Sequence, residues 1–560
     1  MPKPGKVAGN QQMRYNVACK KECTMAVVYT PEQLNEMSRE TLVQMILSQQ
    51  EQLKKMDEKL QLILEQLAVR NSRSFGRSSE KLETEGQLSF NINGEIVMLF
   101  NEAEALAEKE AGDEPDAEPK RGQKRKGKRA ADISGLPKNI ISHELTGEEL
   151  REIYGDENWK RLPDFVFSRY NFTPAKIGID EHHVAVYSGV KSEKMVKAPH
   201  PAYLLRNSLV SPTVLAAIIN GKYVNAMPYD RIAKEFQRQK MPITSQNMAS
   251  WTIRCTERYL YPVYDYLHKK IYEYHVIQAD ETPCLVNKDG RPAGAKSYMW
   301  VYRTGAMSRG GRLILYQYQK TRNASHPREF LKDFSGICVT DGYQVYHTIE
   351  KEREDLLIAG CWTHARRRFS EALKAMPKEQ QSGSIANLAL KQIQAIYNEE
   401  GKLSDLPARE RLELRRRIIK PMVEAYFAWA KQKLDSVLPK SKTWNGLSYS
   451  INQEIYLKRF LDDGEVPIDN NAAEQSIRSF CIGKKNWVMI DTVNGAESSA
   501  VIYSLTETAK ANGLKPYEYI KHLLEEIPQH MDESKDALDA CLEDLLPWSD
   551  KLPDECRKTE

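Results

Sequence analysis

The sequence predicts a multidomain α+β protein: a mixed sheet with helices packed on it, a large all-helical insertion within that core, and a helical N-terminal half. Three observations carry this expectation. Strand-like runs follow one another between residues 274 and 365, first with short connections and then alternating with helices; that order gives a mixed sheet covered by helices. A polar helical stretch from about 366 to 465 interrupts the pattern. Apolar residues between 31 and about 69 recur at three- and four-residue spacing, the period of a helix face.

Bulk properties narrow the class further. A chain of 560 residues is long enough for several domains and a sizeable core. With 28% charged and 41% hydrophobic residues it reads as soluble and globular, and a net charge of only +4 says little about partners. The distribution says more. An acid-rich stretch, 103–118, is followed by "KRGQKRKGKR" at 120–129. Such a block is either a solvated linker or an arm that lies along nucleic-acid phosphates, with Lys124 and Arg125 at its centre. Of nine cysteines only Cys19 and Cys23 are close in sequence, so no second pair completes a four-cysteine zinc site. No apolar run reaches about 18 residues, and the N-terminus lacks a signal-peptide core. The expected location is the cytosol, without a membrane span.

The elements follow in order. Residues 1–30 carry no structural signal. Residues 31–82 read as a long helix, Leu34 to Leu67 forming the stripe, closed by the polar turn "SFGRSSEK". A stripe of this length suits either a coiled coil, and hence a dimer or higher oligomer, or packing within the chain. Residues 83–102 suggest a small hairpin turning at Asn93-Gly94. The charged linker takes 103–134 and a small domain 135–205. His182 and His183 in the latter point to opposite faces of a strand and make a poor joint metal site.

Residues 206–273 are helical and resemble a helix-turn-helix. "PYDRIAKEFQRQ" gives one short amphipathic helix, "KMPI" the turn, and "TSQNMASWTIRC" a second helix capped by Thr244 or Ser245. Ser245, Gln246 and Asn247 would then stand where a recognition helix meets base edges; a plain helical hairpin has the same pattern. The core begins at 274–370, with "HVIQADETPCLV", "SYMWVYRT" and "RLILYQYQ" as an antiparallel meander and "GICVTDGY" and "DLLIAGCW" as further strands. The helical insertion is 371–465. The core resumes at 466–495, where Asp469 or Asn470 caps a helix from Asn471 to about Phe480 with Glu474 and Arg478 on one face. Residues 496–560 form a C-terminal helical region.

Three acids stand out. Asp280 lies in an apolar strand, where an unpartnered carboxylate is costly. Asp341 ends the fourth strand, a favoured place for chemistry. Glu474 sits on the capped helix. Brought together, they would hold Mg²⁺ through oxygen ligands and support in-line substitution at a phosphodiester. Among 77 acids, spacing alone does not select these three over carboxylates that merely cap or pair.

Motif context does. "ADETP", "DGYQVYH", "GCWTHARRRF" and "DNNAAEQSIR", in that order, resemble transposases of the insertion-sequence-66 family, and the likeness extends through "FGRSSEK", "SQNMASW" and "NGAESSAVIYSLTETAKANGLKPYEYIKHLLEEIP" over about 31–549. The resemblance implies a ribonuclease-H-like core of the aspartate–aspartate–glutamate type. Its catalytic and metal-binding triad would be Asp280, Asp341 and Glu474, using a two-ion Mg²⁺ site with Mn²⁺ as an alternative. It further implies His364 as an auxiliary group, and Arg367, Arg478, Lys484 and Lys485 as DNA contacts, Arg478 having Glu474 as an alternative partner. The implied partners are the element's terminal inverted repeats, target DNA, a second copy of the chain and element-encoded accessory proteins, in a bacterial cytoplasm at the nucleoid. One departure is that 143–190, where the family carries zinc cysteines, has no cysteine, so no zinc is expected. The competing functional readings are a catalytically silent DNA-binding relative and a metal-dependent nuclease without strand transfer.

Overall fold

In the computed structural model the described residues are 39–75, 87–92, 95–100, 148, 178, 180–183, 185–188, 195–197, 203–206, 208–292 and 294–558. Lys124, Arg125, the charged linker, and Cys19 and Cys23 lie outside them, as does most of 135–205. By internal contacts the chain divides into two units, Met1–Gln66 and Leu67–Glu560. The N-terminal helix runs Arg39–Phe75, further at its C-terminal end than the apolar stripe suggested. Ile46, Leu53 and Leu60, spaced by seven, are 54%, 65% and 54% exposed, and Met56 and Ile63 beside them are exposed too, so this part of the stripe is uncovered among the described residues. No described helix is long and apolar enough to cross a membrane.

Two small antiparallel sheets are formed by β1 (Gln87–Ile92) with β2 (Glu95–Phe100) and by β3 (Val186–Ser188) with β4 (Met195–Lys197). The β1–β2 register, Ile92 opposite Glu95, brackets the expected Asn93-Gly94 turn. Beside the second pair, His183 meets Glu181 at 3.2 Å on an exposed surface.

The main sheet consists of β5 (Val276–Lys288), β6 (Lys296–Thr304), β7 (Ile314–Gln319), β8 (Gly336–Val339), β9 (Leu356–Ala359) and β10 (Ile490–Thr492). Its order is β7-β6-β5-β8-β9, with β10 pairing the far end of β5. The first three strands are an antiparallel meander; β8 runs parallel to β5, and β9 parallel to β8. The sheet is therefore mixed, as the strand order in the sequence implied.

Helices close both faces. Between β9 and the glutamate helix (Asn471–Trp487) the chain makes a run of helices from Trp362–Lys374 to Glu454–Lys458. These share a core of their own, with Trp362, Phe369, Tyr426, Phe427 and Leu447 buried together, joined to the sheet through Val276, Ile337, Val339 and Ala359. Two long helices pass through a π turn immediately ahead of a proline: Thr256–Leu260 before Pro262, and Arg415–Ile419 before Pro421. Proline has no N–H and its ring crowds the carbonyl four residues back, and a wider turn absorbs both defects without breaking the helix.

The edge strand β7 is capped by hydroxyls of helix Val493–Ala511. Tyr316 N–H donates to Ser504 Oγ at 2.7 Å, Ile314 N–H donates to Thr508 Oγ1 at 3.0 Å, and Thr508 Oγ1 donates back to Ile314 O at 3.0 Å. An otherwise open ladder is satisfied by side chains. Ser504→Ala with Thr508→Val leaves these buried backbone groups unpaired. Each unpaired group costs about 1–3 kcal/mol, so the midpoint of urea unfolding should fall clearly; an unchanged midpoint would contradict the capping role.

Candidate active site

The site is built on β5. Its residues 276–279 are buried, and alternate side chains leave opposite faces. Gln278 and Thr282 face the glutamate helix: Gln278 Nε2 donates to Asn470 Oδ1 at 3.1 Å, and Thr282 Oγ1 meets Cys481 Sγ at 3.6 Å. Asp280, between them, shares that face. Glu281 belongs to the other, where Arg322 donates to its Oε1 from Nε at 2.7 Å and also from Nη2. The Arg322 guanidinium stacks 3.7 Å above the Tyr343 ring, whose hydroxyl donates to Arg322 O at 2.7 Å.

The two adjacent acids thus have different surroundings. Glu281 is paired, yet burial and the charge of Asp341 still raise its pKa to about 7 against the pull of Arg322. Asp280 accepts one hydrogen bond, from Glu281 N–H at 2.8 Å, and has no ion pair among the described residues. Burial, then the charge of Glu281, holds its carboxyl well above the usual range, and Asp341 and Glu474 add to the effect. The field of both acids reaches Asp280, so folding brings the three sequence-predicted carboxylates into one neighbourhood.

Asp341 follows β8 and accepts Tyr343 N–H at 2.9 Å. The next residue must be small, because a Cβ at Gly342 would meet the Tyr449 hydroxyl at 2.7 Å. Glu474 is in the first turn of its helix, where an acid is favoured by the helix dipole. Arg367 Nη2 donates to Glu474 Oε2 at 3.1 Å, and His364 Nδ1 stands 3.7 Å from Oε1. Glu474 Oε1 and His364 Nδ1 are both buried without a hydrogen-bond partner. Burial, with Arg367 close by, lowers the His364 pKa and keeps the imidazole neutral.

The glutamate helix is pinned to the sheet by an amide, a phenol and a guanidinium. Asn470 Nδ2 donates to Ala279 O at 2.8 Å, and its N–H donates to Cys361 Sγ at 3.2 Å. Arg303 Nη1 donates to Ala472 O at 3.0 Å and Ser476 Oγ at 3.2 Å, and Tyr316 OH donates to Ser476 O at 2.5 Å. Asn470 is the N-cap, but its side chain makes no cap bond because it clamps β5 instead. Sequence reasoning missed Gln278, Arg303 and this use of Asn470; the signal available was a polar residue inside an apolar strand.

The donor set suits a hard divalent cation. The charges of Asp341 and Glu474 reach Asp280, which has no ion pair among the described residues, and Glu474 keeps an unused oxygen. Among the described residues the group whose ligand atoms all lie within 4.8 Å of one another is Cys361 Sγ, His364 Nδ1 and Glu474 Oε1, not the three carboxylates. The thiol is a poor ligand there, since burial raises its pKa to about 12 and it already accepts Asn470 N–H.

The remaining expected contacts separate. Gln246 and Asn247 are exposed at the start of helix Ser245–Cys255, and Ser245 is half-buried. Thr244 caps that helix, accepting Asn247 N–H at 3.1 Å, while Met248 packs with Ile218, Ile232 and Ala233. The helix does not end at Cys255 but continues through its π turn to Ile271. Arg478 is exposed and Glu474 pairs with Arg367 instead. Lys484 and Lys485 lie within the glutamate helix, which runs to Trp487 rather than ending near Phe480. Lys484 Nζ is committed to Pro283 O at 2.9 Å.

A pH effect follows from Glu281. Its pKa in the folded chain, about 7, is above the unfolded value near 4.5, so the folded state binds the extra proton between these values. That contribution is present below about pH 4.5 and is lost as pH rises to about 7. Relative to Glu281→Gln, the native chain should lose up to about 3 kcal/mol between pH 5 and pH 8. Urea titrations of both chains at the two pH values test this; parallel pH dependence would refute it.

Comparison with known proteins identifies the family. The family model described as "Transposase IS66 family" matches residues 207–498, "IS66 C-terminal element" matches 504–548, and "Transposase C of IS166 homeodomain" matches 63–141. Among curated proteins, "Uncharacterized protein y4qI" of Sinorhizobium fredii (strain NBRC 101917 / NGR234) is 27% identical over 500 residues, covering 87% of this chain and 88% of that protein. "Uncharacterized protein y4jD" of the same organism is 26% identical over 364 residues, covering 63% and 69%. The first of these matches spans the residues of the acid site, the clamp beneath it and the helices behind the sheet, and on it the chain belongs to the IS66 family of transposases, with the DNA binding and DNA transposition that membership implies.

Proposed function

We propose that the chain is an aspartate–aspartate–glutamate transposase with a ribonuclease-H-like core, which binds the terminal inverted repeats of its element, cleaves there with water and joins the freed 3′-hydroxyl to target DNA. The observation that supports the reading is that the charges of Asp341 and Glu474 both reach Asp280, which has no ion pair among the described residues. A meander of three strands followed by two parallel strands beside the first supports the core assignment.

In this reading Asp280, Asp341 and Glu474 hold the cation. Mg²⁺ or Mn²⁺, when bound, supplies Lewis acidity at the phosphodiester oxygens. The clamp of Asn470 on β5 fixes the distance between the Asp280 strand and the Glu474 helix. The half-burial of Asp280 lowers the local dielectric and strengthens its hold on a cation. Arg367, donating to Glu474 Oε2, orients that carboxylate, and His364 stands beside its unused oxygen at 3.7 Å. Arg367 lies beside Glu474 and meets the phosphate from that side. Ser245, Gln246 and Asn247 read base edges, and Lys124 and Arg125 lie along phosphates at some distance in sequence. The uncovered stripe of the N-terminal helix pairs two chains, which suits the joining of two element ends.

Two outcomes are expected. Asp280→Asn, Asp341→Asn and Glu474→Gln should each lower cleavage of an end-bearing duplex by at least about a thousandfold while leaving duplex affinity within a factor of a few; a native chain that binds ends and never cuts, with accessory proteins supplied, would mark a silent binder. Leu53→Asp with Leu60→Asp should convert a dimer to a monomer in sedimentation, and an unchanged mass would remove the pairing role.

A further inference from the structure

The end of the glutamate helix carries a feature that the acid site does not use. Val488 closes the helix at φ 63° and ψ −55°. Met489 N–H donates to Trp487 O at 2.7 Å, so the chain reverses over three residues around Val488. A γ-turn with positive φ is rare and strained, and a β-branched residue at its centre is an outlier. Such strain persists only where the surroundings hold it.

Both flanks hold it. Before the turn, Trp487 packs on Phe480, Phe480 packs on Tyr503, and a Cβ at Gly483 would collide with the Tyr503 hydroxyl. Lys484 is tied to Pro283 O on β5. After the turn, β10 pairs with the same strand at Val286 and Lys288. The turn itself faces outward. Val488 is 56% exposed, Met489 45%, and Ile482 57%. Arg478, Ile482 and Lys485 follow at spacings of four and three and so share one helix face, which begins beside Glu474. The nearest acid in sequence, Asp491, is paired with Lys288 at 2.6 Å. An apolar tip in a basic setting, leading away from an acid site that handles phosphodiesters, is complementary to duplex DNA.

We propose that the turn at Trp487–Met489 is a DNA wedge. Val488 and Met489 press between base pairs of the duplex whose scissile phosphate lies at the acid site, and Arg478 and Lys485 steady its backbone. Apolar side chains used this way unstack a base step, and a tip already rigid loses little entropy on insertion. The inference rests on the transposase reading above. It also carries a distance. Glu474 and Val488 are separated by about 21 Å along the helix axis at 1.5 Å per residue, and a strand rises about 3.4 Å per nucleotide. A duplex lying along the helix meets the wedge about six nucleotides from the cleaved bond.

The test uses the full-length Asp280→Asn chain and end duplexes carrying 2-aminopurine singly at three to nine nucleotides from the cleavage point. Fluorescence should rise near the sixth position. The rise should vanish, and affinity fall at least fivefold, when Val488→Ser and Met489→Ser are added. A mismatch at that position should tighten binding to the chain with the intact tip and not to the double variant. Val488→Gly, which tolerates positive φ, should unfold no earlier than the unmodified tip yet lose the signal, separating the wedge from misfolding. Absence of any fluorescence rise in a chain whose native form cuts the same duplex overturns the wedge and leaves the acid triad standing. A native chain that never cuts counts against the triad, and the fluorescence scan then decides the wedge alone. If the Ser substitutions alter oligomeric mass and leave DNA binding intact, the tip is a protein interface and the wedge is wrong.

Discussion

The structure depends on keeping a carboxylate buried beside others of its kind. Asp280 lies on a strand whose preceding residues are buried, within reach of the charges of Glu281, Asp341 and Glu474. Removing a carboxylate from water is costly, and like charges add to the cost. The fold offsets this with a neutral clamp. Gln278, Asn470 and the Ala279 carbonyl join the strand to the glutamate helix with amide hydrogen bonds. A second tie, Tyr316 to the Ser476 carbonyl, holds the helix one turn further along. These contacts fix the acids in place without neutralising Asp280.

The topology supplies the rest. Because β8 runs parallel to β5, its C-terminal end delivers Asp341 beside the middle of β5, where Asp280 sits. The chain then leaves through the signature helix Trp362–Lys374, builds a separate helical core, and returns at 468–471. The return is fixed where it passes the departure point: Trp362 N–H donates to Ile468 O at 3.2 Å, and Asp469 accepts from Tyr397 OH at 3.1 Å. The insertion can therefore be large without loosening the site, since its two ends are bonded to each other at the base. Its own core rests on internal pairs such as Arg415 with Glu400, both buried.

Local pattern made the strands, the short hairpin and the two helices around the 239–244 turn legible, because each is set by alternation, turn residues or capping within a few positions. The acids were legible in kind but not in grouping. Nothing in the spacing of 280, 341 and 474 tells that β8 runs beside β5; motif resemblance supplied what periodicity lacked. The misreadings share a cause. Of the two cap candidates Asp469 accepts Asn471 N–H, while a buried carbonyl across the sheet claims the Asn470 amide. Lys484 looked like a phosphate contact, yet Pro283 O claims its ammonium. The glutamate helix looked complete near Phe480, yet it runs to Trp487, with Gly483 packed close on Tyr503. Each depends on a partner distant in sequence or on a local defect that tertiary packing accommodates.

Asp280 and Glu281 make the closing argument between them. They are neighbours in the chain, both acidic, both half-buried in the same strand, and they leave it on opposite faces. On one face the fold provides a guanidinium, itself stacked on Tyr343, and Glu281 is paired. On the other it provides Asp280 with a backbone N–H and further carboxylates nearby but no ion pair among the described residues, while Arg303 and Arg367 on that side bond the glutamate helix. A purely structural pair of acids would find the same solution twice, because the cost of burial is the same on both sides. The asymmetry is a reason to read Glu281 as part of the scaffold and Asp280 as a group held ready for a positive charge that comes from outside the chain.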